Sequence, residues 1–229
     1  LFISGSAPLL TETHEEFIRR TGHHILERYG MTETNMITSN PYNGERRPGT
    51  VGKPLPDVEI KINDPETGRE NANDEIGMIE VRGPNVFKGY WNMPDKTSLE
   101  LRENGYFITG DLGKLSSDGY LSIVGREKDM IISGGYNVYP KEIEDVLNEL
   151  DKIDETAVFG ILDTDFGERV VAAVVMLENE SFDKSKTQIF VNDKLARYKQ
   201  PKEYFVLDSL PRNSMGKVQK NELRKQFSN

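Results

Sequence analysis

Between residues 58 and 125 the chain alternates apolar and polar positions with a period of two. VEIKIND (58–64), GMIEVRG (77–83), YFITGDLGKL (106–115) and GYLSIVG (119–125) are separated by turn residues such as the PETG of 65–68. That pattern predicts half-buried strands, and residues 49–125 read as a small antiparallel β subdomain. The segment before it reads differently. Leu1-Phe2-Ile3 predicts a short strand, Ser4–Pro8 a small-residue loop, and Thr11–Thr21 a helix with Thr11 as its N-cap. Ile25-Leu26 leads into RYGMTET, which predicts a strand ending in a glycine turn.

A second change of texture follows GREKDMIISGG (125–135). Pro140 opens a predicted helix, KEIEDVLNEL, with Ile143, Val146, Leu147 and Leu150 on one face. TAVFGILD and RVVAAVVML are almost continuously apolar strands, followed by a polar helix near 185–197 and a strand at EYFVLD (203–208). The predicted organisation is therefore α/β and α+β: residues 1–125 form part of a larger domain and 126–229 a small α+β domain, with the boundary at Arg126–Lys128.

Composition narrows the function. A formal net charge of −9 over 229 residues argues against nucleic acid, whose binders carry a basic stripe and a high pI. The absence of cysteine excludes disulfides and thiolate metal sites and suits a reducing compartment, with the cytoplasm as the expected location. No apolar run reaches the length of a membrane span. Residues 194–229 hold nine Lys/Arg against three Asp/Glu, a basic face suited to an anionic small ligand or simply to solvent.

RYGMTE (28–33) carries the most chemistry. Tyr29 offers a flat ring for a base, Gly30 a tight turn, Thr32 a hydroxyl and Glu33 a carboxylate, a set that suits a phosphate with its Mg²⁺ or an ordinary turn. His23 and His24 have no Cys/His spacing around them and read as structural or surface residues. In PRNSMGKVQK (211–220) a lone Lys217 follows Gly216, and by itself reads as a solvated charge.

The order SGSAP, RYGMTE, YFITGD, GREKDMIISGGYNVYPKEIE, PRNSMGK resembles the acyl-adenylate-forming (AMP-binding) superfamily: acyl-CoA synthetases, peptide-synthetase adenylation domains and luciferase. The resemblance runs the length of the chain and implies ATP/AMP, Mg²⁺ and CoA as ligands. It implies that Ser6, Ala7 and Pro8 line an adenine pocket, that Tyr29 stacks on the base beside Gly30, and that Thr32 bonds the α-phosphate. Glu33 is implied as the Mg²⁺ carboxylate, and Asp111 as the acceptor for both ribose hydroxyls. Arg126 is implied to reach the ribose and Asn137 the phosphate. Lys128 is implied as a hinge, Gly134, Gly135 and Tyr136 as the wall of a pantetheine tunnel, and Lys217 as the lysine of the adenylation step.

Within the superfamily, ERYGMTETNM, RGPNVFKGYWNMP and DSLPRNSMGKVQK resemble malonyl-CoA synthetases most closely. Arg28 stands where synthetases for simple acids usually carry a small residue, and a guanidinium there suits the second carboxylate of a short dicarboxylic acid. Fatty, aromatic or methylmalonate substrates are the alternatives, as is a non-catalytic module in which 126–229 binds CoA or a partner. Met31, in place of the usual proline, argues against a peptide-synthetase domain. The Gly/Ser/Thr-rich loop that grips the outer phosphates in the family is absent, and the chain resembles roughly the last 45% of a full-length synthetase. Two expectations follow: residues 1–50 expose strand edges that the missing N-terminal half would cover, and the isolated chain is inactive.

Overall fold

The computed structural model describes residues 1–5 and 9–228, and they form two compact units, Leu1–Glu127 and Lys128–Asn229. The first unit starts with strand β1 (Phe2–Ser4), helix α1 (Thr11–Thr21), and strands β2 (Ile25–Met31), β3 (Asn35–Ser39) and β4 (Lys53–Pro54). These four strands make one mixed sheet in the order β1-β2-β3-β4, with β1 parallel to β2 and the other pairs antiparallel. The alternating segments become β5 (Glu59–Asn63), β6 (Gly77–Arg82), β7 (Phe107–Leu115) and β8 (Leu121–Arg126), with helix α2 (Pro94–Glu100) inserted between β6 and β7. They pair as an antiparallel meander. Ile37 and Val51 from the first sheet's region pack against Ile62, Ile79, Val81 and Leu121 of the meander, which binds the two sheets into one unit.

Two local expectations need correction. Thr11 is not the N-cap of α1. The extended residue is Leu10, whose carbonyl already accepts the His14 N–H at 3.1 Å, so the helix begins one residue earlier than the hydroxyl suggests. The glycine of RYGMTET does not make the turn either. β2 runs through Gly30 to Met31, and the reversal falls at Thr32–Thr34, where the Thr34 N–H reaches the Met31 carbonyl at 3.2 Å. β1 lies at the sheet edge with Leu1, Phe2 and Ile3 all exposed, as expected for this region.

His14 is wholly buried, and its Nε2 accepts the Ile25 N–H at 3.1 Å, tying α1 to β2. Burial, helped by the nearby His24, pushes its pKa below the usual histidine value, so folding favours the neutral ring. Its contribution is complete above about pH 6.5 and is lost as pH falls through the lowered folded value. Thermal melts at pH 7.5 and 5.5 should therefore show a larger drop for the wild type than for His14→Gln, which keeps an acceptor but cannot protonate.

Another buried polar contact lies in the meander. Glu80 on β6 is 2% exposed and receives a two-pronged grip from Arg102, Nε to Oε2 at 2.8 Å and NH2 to Oε1 at 2.6 Å. Removing the arginine strands a carboxylate in the core. Because Arg102 is itself partly exposed, the cost of Arg102→Ala is placed at about 2–4 kcal/mol by denaturant unfolding. Replacing both residues by leucine should recover most of that loss, because no buried charge remains.

A 3-10 turn at Glu127–Asp129 spans the division between the units, and the second continues as β9 (Ile131–Ser133), β10 (Tyr136–Val138), α3 (Pro140–Asn148), β11 (Ile153–Asp163), β12 (Gly167–Met176), α4 (Lys184–Lys194), β13 (Glu203–Leu207) and α5 (Lys220–Phe227). α4 ends three residues short of the expected helix, which gives way to a separate 3-10 turn at Arg197–Lys199. One sheet holds all five strands in the order β10-β9-β12-β11, with β13 parallel to β12. The unbroken apolar runs of β11 and β12 now have a reason: both faces of these strands are covered. Val158, Val170, Ala172 and Val174 face Ile143 and Leu147 of α3 and Val191 of α4. Phe159, Ile161, Val171 and Ala173 face Leu223 and Phe227 of α5.

Candidate nucleotide and ligation sites

In the first unit three of the singled-out residues converge. Asp111 on β7 lies directly across the ladder from Arg126 on β8. Its carboxylate is 5% exposed; Oδ1 pairs with Arg126 Nε at 2.6 Å, and Oδ2 accepts the Tyr29 hydroxyl of β2 at 2.5 Å. The backbone N–H of Asp111 is taken by Thr109 Oγ1 at 3.0 Å, while that hydroxyl donates to the Ile79 carbonyl at 2.9 Å. Two donors from different strands thus hold the two carboxylate oxygens. Burial and the adjacent Asp111 charge push the Tyr29 phenol far above its usual range, so it remains a donor at any working pH.

Thr32 and Glu33 occupy the β2–β3 turn, with Thr32 exposed and Glu33 half-buried. The RGPNVFKGY segment braces this turn. Phe87 N–H donates to the Glu33 carbonyl at 2.8 Å, and Asn85 Nδ2 donates to the Thr34 and Met36 carbonyls at 2.8 and 3.1 Å. The Tyr90 hydroxyl lies 2.6 Å from Glu100 Oε2 and 3.1 Å from Glu33 Oε1. One phenol proton is therefore shared between two carboxylates. Burial first, and these carboxylates next, raise the Tyr90 phenol well above its usual range. Asn85 and Tyr90 reach the turn across 49 to 57 residues of chain, so their part in bracing it has no signature in the local sequence. Arg28, exposed on β2, lays its stem beside Gly5 and pairs with no carboxylate among the described residues. Ser6, Ala7 and Pro8 lie outside the described residues.

In the second unit Ser133 and Tyr136 pair across a two-residue hairpin made by Gly134 and Gly135, whose φ angles are +59° and +80°. Two consecutive left-handed residues are what such a turn demands, which explains the glycine pair. The Gly134 N–H donates to the Phe166 carbonyl at 2.8 Å, and a Cβ at 134 would come within 3.3 Å of the Phe166 ring. Tyr136 stacks on Tyr198 with ring centroids 4.7 Å apart, and Asn137 beside it is exposed. Lys128 is exposed in the 3-10 turn.

Lys217 is presented at the tip of a tight loop that Asn213 organises. Asn213 Oδ1 accepts the Met215 and Lys217 N–H groups at 3.0 and 2.9 Å. Its own N–H donates to the Lys217 carbonyl at 3.0 Å, and its carbonyl accepts Gly216 N–H at 2.9 Å. Arg212 ties the loop down by donating to the Gly216 carbonyl at 2.7 Å and pairing with Glu155 of β11. Gly216 supplies the left-handed turn at φ +78°. Asn213→Ala should speed amide exchange at Met215 and Lys217 about tenfold or more, whereas Asn213→Asp, which keeps the acceptor, should not. Among the described residues there is no group of three metal-binding side chains, and no helix is long and apolar enough to cross a membrane. His23 and His24 are both exposed.

Two family models match the chain: AMP-binding enzyme over residues 1–91, and AMP-binding enzyme C-terminal domain over residues 142–217. The chain belongs to the AMP-binding enzyme family. The ATP-bound crystal structure of MatB from Rhodopseudomonas palustris is 55% identical and superposes with a TM-score of 0.97, over 100% of this chain and 46% of that one. A malonate–CoA ligase of Arabidopsis thaliana is 43% identical over 240 residues, covering 100% of this chain and 39% of the relative. A long-chain-fatty-acid–CoA ligase of Bacillus subtilis (strain 168) is 40% identical over 222 residues, covering 96% and 40%. The chain therefore spans about two fifths of the length of these curated relatives.

Proposed function

We propose that this chain is the C-terminal part of an AMP-forming acid–CoA ligase that activates a short dicarboxylic acid, malonate first, as an acyl-adenylate and passes it to CoA. The observation that carries the reading is the buried Asp111 carboxylate held between Tyr29 and Arg126, an acceptor suited to the two hydroxyls of a ribose. The names of the Arabidopsis relative and of MatB's ATP-bound state support the same chemistry.

In this reading the Tyr29 ring takes the adenine, with Ser6, Ala7 and Pro8 beside it, and Asp111 with Arg126 takes the ribose. Thr32 donates to the α-phosphate. The half-buried Glu33 carboxylate would offer an oxygen ligand to a hard dication such as Mg²⁺. Mg²⁺ held there supplies charge neutralisation on the phosphates. Arg28, without an internal partner among the described residues, pairs with the second carboxylate of the acid. Lys217 carries its ammonium to the attacking carboxylate and the α-phosphate, where negative charge builds as pyrophosphate leaves. Residues from Lys128 onward form the C-terminal domain that turns about Lys128. Gly134, Gly135 and Tyr136 then line the path of the CoA thiol, where a Cβ-free backbone lets a ligand pass close. Asn137 contacts the phosphate.

A complete site draws on the part of the ligase beyond this chain, so the isolated chain is inactive. Joined behind the remaining portion of MatB, it should release pyrophosphate with malonate and more slowly with methylmalonate, acetate or octanoate. Preference for octanoate, or malonate activity unchanged by Arg28→Ala, would overturn the dicarboxylate assignment. A second reading, a fatty-acid ligase, is favoured by the name of the Bacillus relative.

A further inference from the structure

Asp111 is reached by donors from two elements other than its own. Arg126 comes from the neighbouring strand of the same meander, and its partnership follows from register. Tyr29 comes from the other sheet, 82 residues away along the chain, and its hydroxyl holds the oxygen that Arg126 does not. A ring that served only to stack on a base needs no hydroxyl. We propose that Tyr29 is the residue that sets ribose selectivity, its O–H orienting Asp111 toward the vicinal diol while its ring faces the base. This rests on the reading of Asp111 as the ribose acceptor.

The physical argument concerns rotation of the carboxylate. A side-chain carboxylate turns easily about its last bond, and a two-oxygen acceptor matches a diol only when its plane is set beforehand. Arg126 pins one oxygen through its Nε. The Tyr29 hydroxyl pins the second oxygen, and Thr109 fixes the backbone beneath it. Loss of the phenol oxygen therefore weakens the match of Asp111 to a vicinal diol, whereas a single hydroxyl needs only one of the two oxygens and no fixed plane. The aromatic ring, and any stacking on it, is untouched.

The test is a set of binding titrations on the full 229-residue chain with AMP, 2′-deoxy-AMP and 3′-deoxy-AMP, comparing the wild type with Tyr29→Phe. The wild type should prefer AMP over either deoxy analogue by about tenfold or more. In Tyr29→Phe, AMP affinity should fall until the preference is about threefold or less, while both deoxy analogues keep affinities within about twofold of the wild type. Unchanged melting of the variant guards against a trivial loss of fold. If Tyr29→Phe keeps the full ribose preference, or weakens AMP and the deoxy analogues in parallel, the proposal falls while the nucleotide site stands. Nucleotide binding by the wild type without ribose preference removes the assignment of Asp111, and no AMP binding even when the chain is joined behind the remaining portion of MatB removes the nucleotide reading with it.

Discussion

Replacing Lys217 with alanine in the ligase assembled behind the MatB portion is expected to slow malonate-dependent pyrophosphate release about a hundredfold or more. In the proposed mechanism the ammonium meets the reacting groups only while negative charge grows on the carboxylate and the α-phosphate, so its loss should fall on the rate of that step. Malonate and ATP affinities should change far less. Thioester formation from preformed malonyl-adenylate should continue at close to the original rate, because in the proposed mechanism that half-reaction does not involve the lysine. Lys217→Arg keeps the charge but replaces a compact ammonium with a planar fork, and should rescue only part of the loss. The comparison requires both half-reactions to be followed separately. An alanine variant that keeps more than about a tenth of the adenylation rate, or loses both half-reactions equally, would exclude the assigned role.

The second large effect is expected from Gly30→Ala, and its cause is space, since Gly30 is absent from the positive-φ glycines. A Cβ on Gly30 would lie 2.1 Å from the Asn35 carbonyl oxygen and 2.9 Å from the Met36 methyl group. The first of these is backbone and cannot swing aside. β2 and β3 approach closely here, at the register shift between Tyr29 and Gly30, so a methyl group pushes the strands apart. The cost should be about 3 kcal/mol or more, which for a chain of this size lowers the melting temperature of the first unit by about 6–12 °C. Gly119→Ala is the control. Gly119 has a left-handed φ of +87°, but open space surrounds the position its methyl group would take, so only backbone strain of about 1–2 kcal/mol is expected. If Gly119→Ala proves the costlier of the two, the crowding argument fails. Because the displaced segment carries Thr32 and Glu33, Gly30→Ala should also weaken nucleotide binding under conditions where it still folds.

The glycines at 30 and at 134–135 are required for different physical reasons. Gly134 and Gly135 sit in a two-residue hairpin whose requirement is local, in their own positive φ angles. Gly30 also marks a constrained place, but its constraint comes from the strand beside it and not from its own backbone angles. The sequence therefore marks the position correctly while implying the wrong reason. The same distinction separates Gly216, which makes a local turn at φ +78°, from Asn213, whose four hydrogen bonds to the loop have no periodic signature.

By itself, the sequence determined the elements whose cause is local. Period-two alternation announced β5 to β8, the proline and apolar stripe announced α3, and continuous apolar runs announced strands that turn out to be covered on both faces. The ordered motifs pointed to the AMP-binding enzyme family. Tertiary structure alone decided the partners. Tyr29 meets Asp111 across 82 residues, Glu33 meets Tyr90 across 57, and Arg102 meets Glu80 across 22. Hydrophobic period reports which face of a strand is buried, but not which strand from another sheet will lie against it. Hydrogen-bond partners depend on that second arrangement, and so the chemistry of Asp111 became legible only once the two sheets of the first unit were in place.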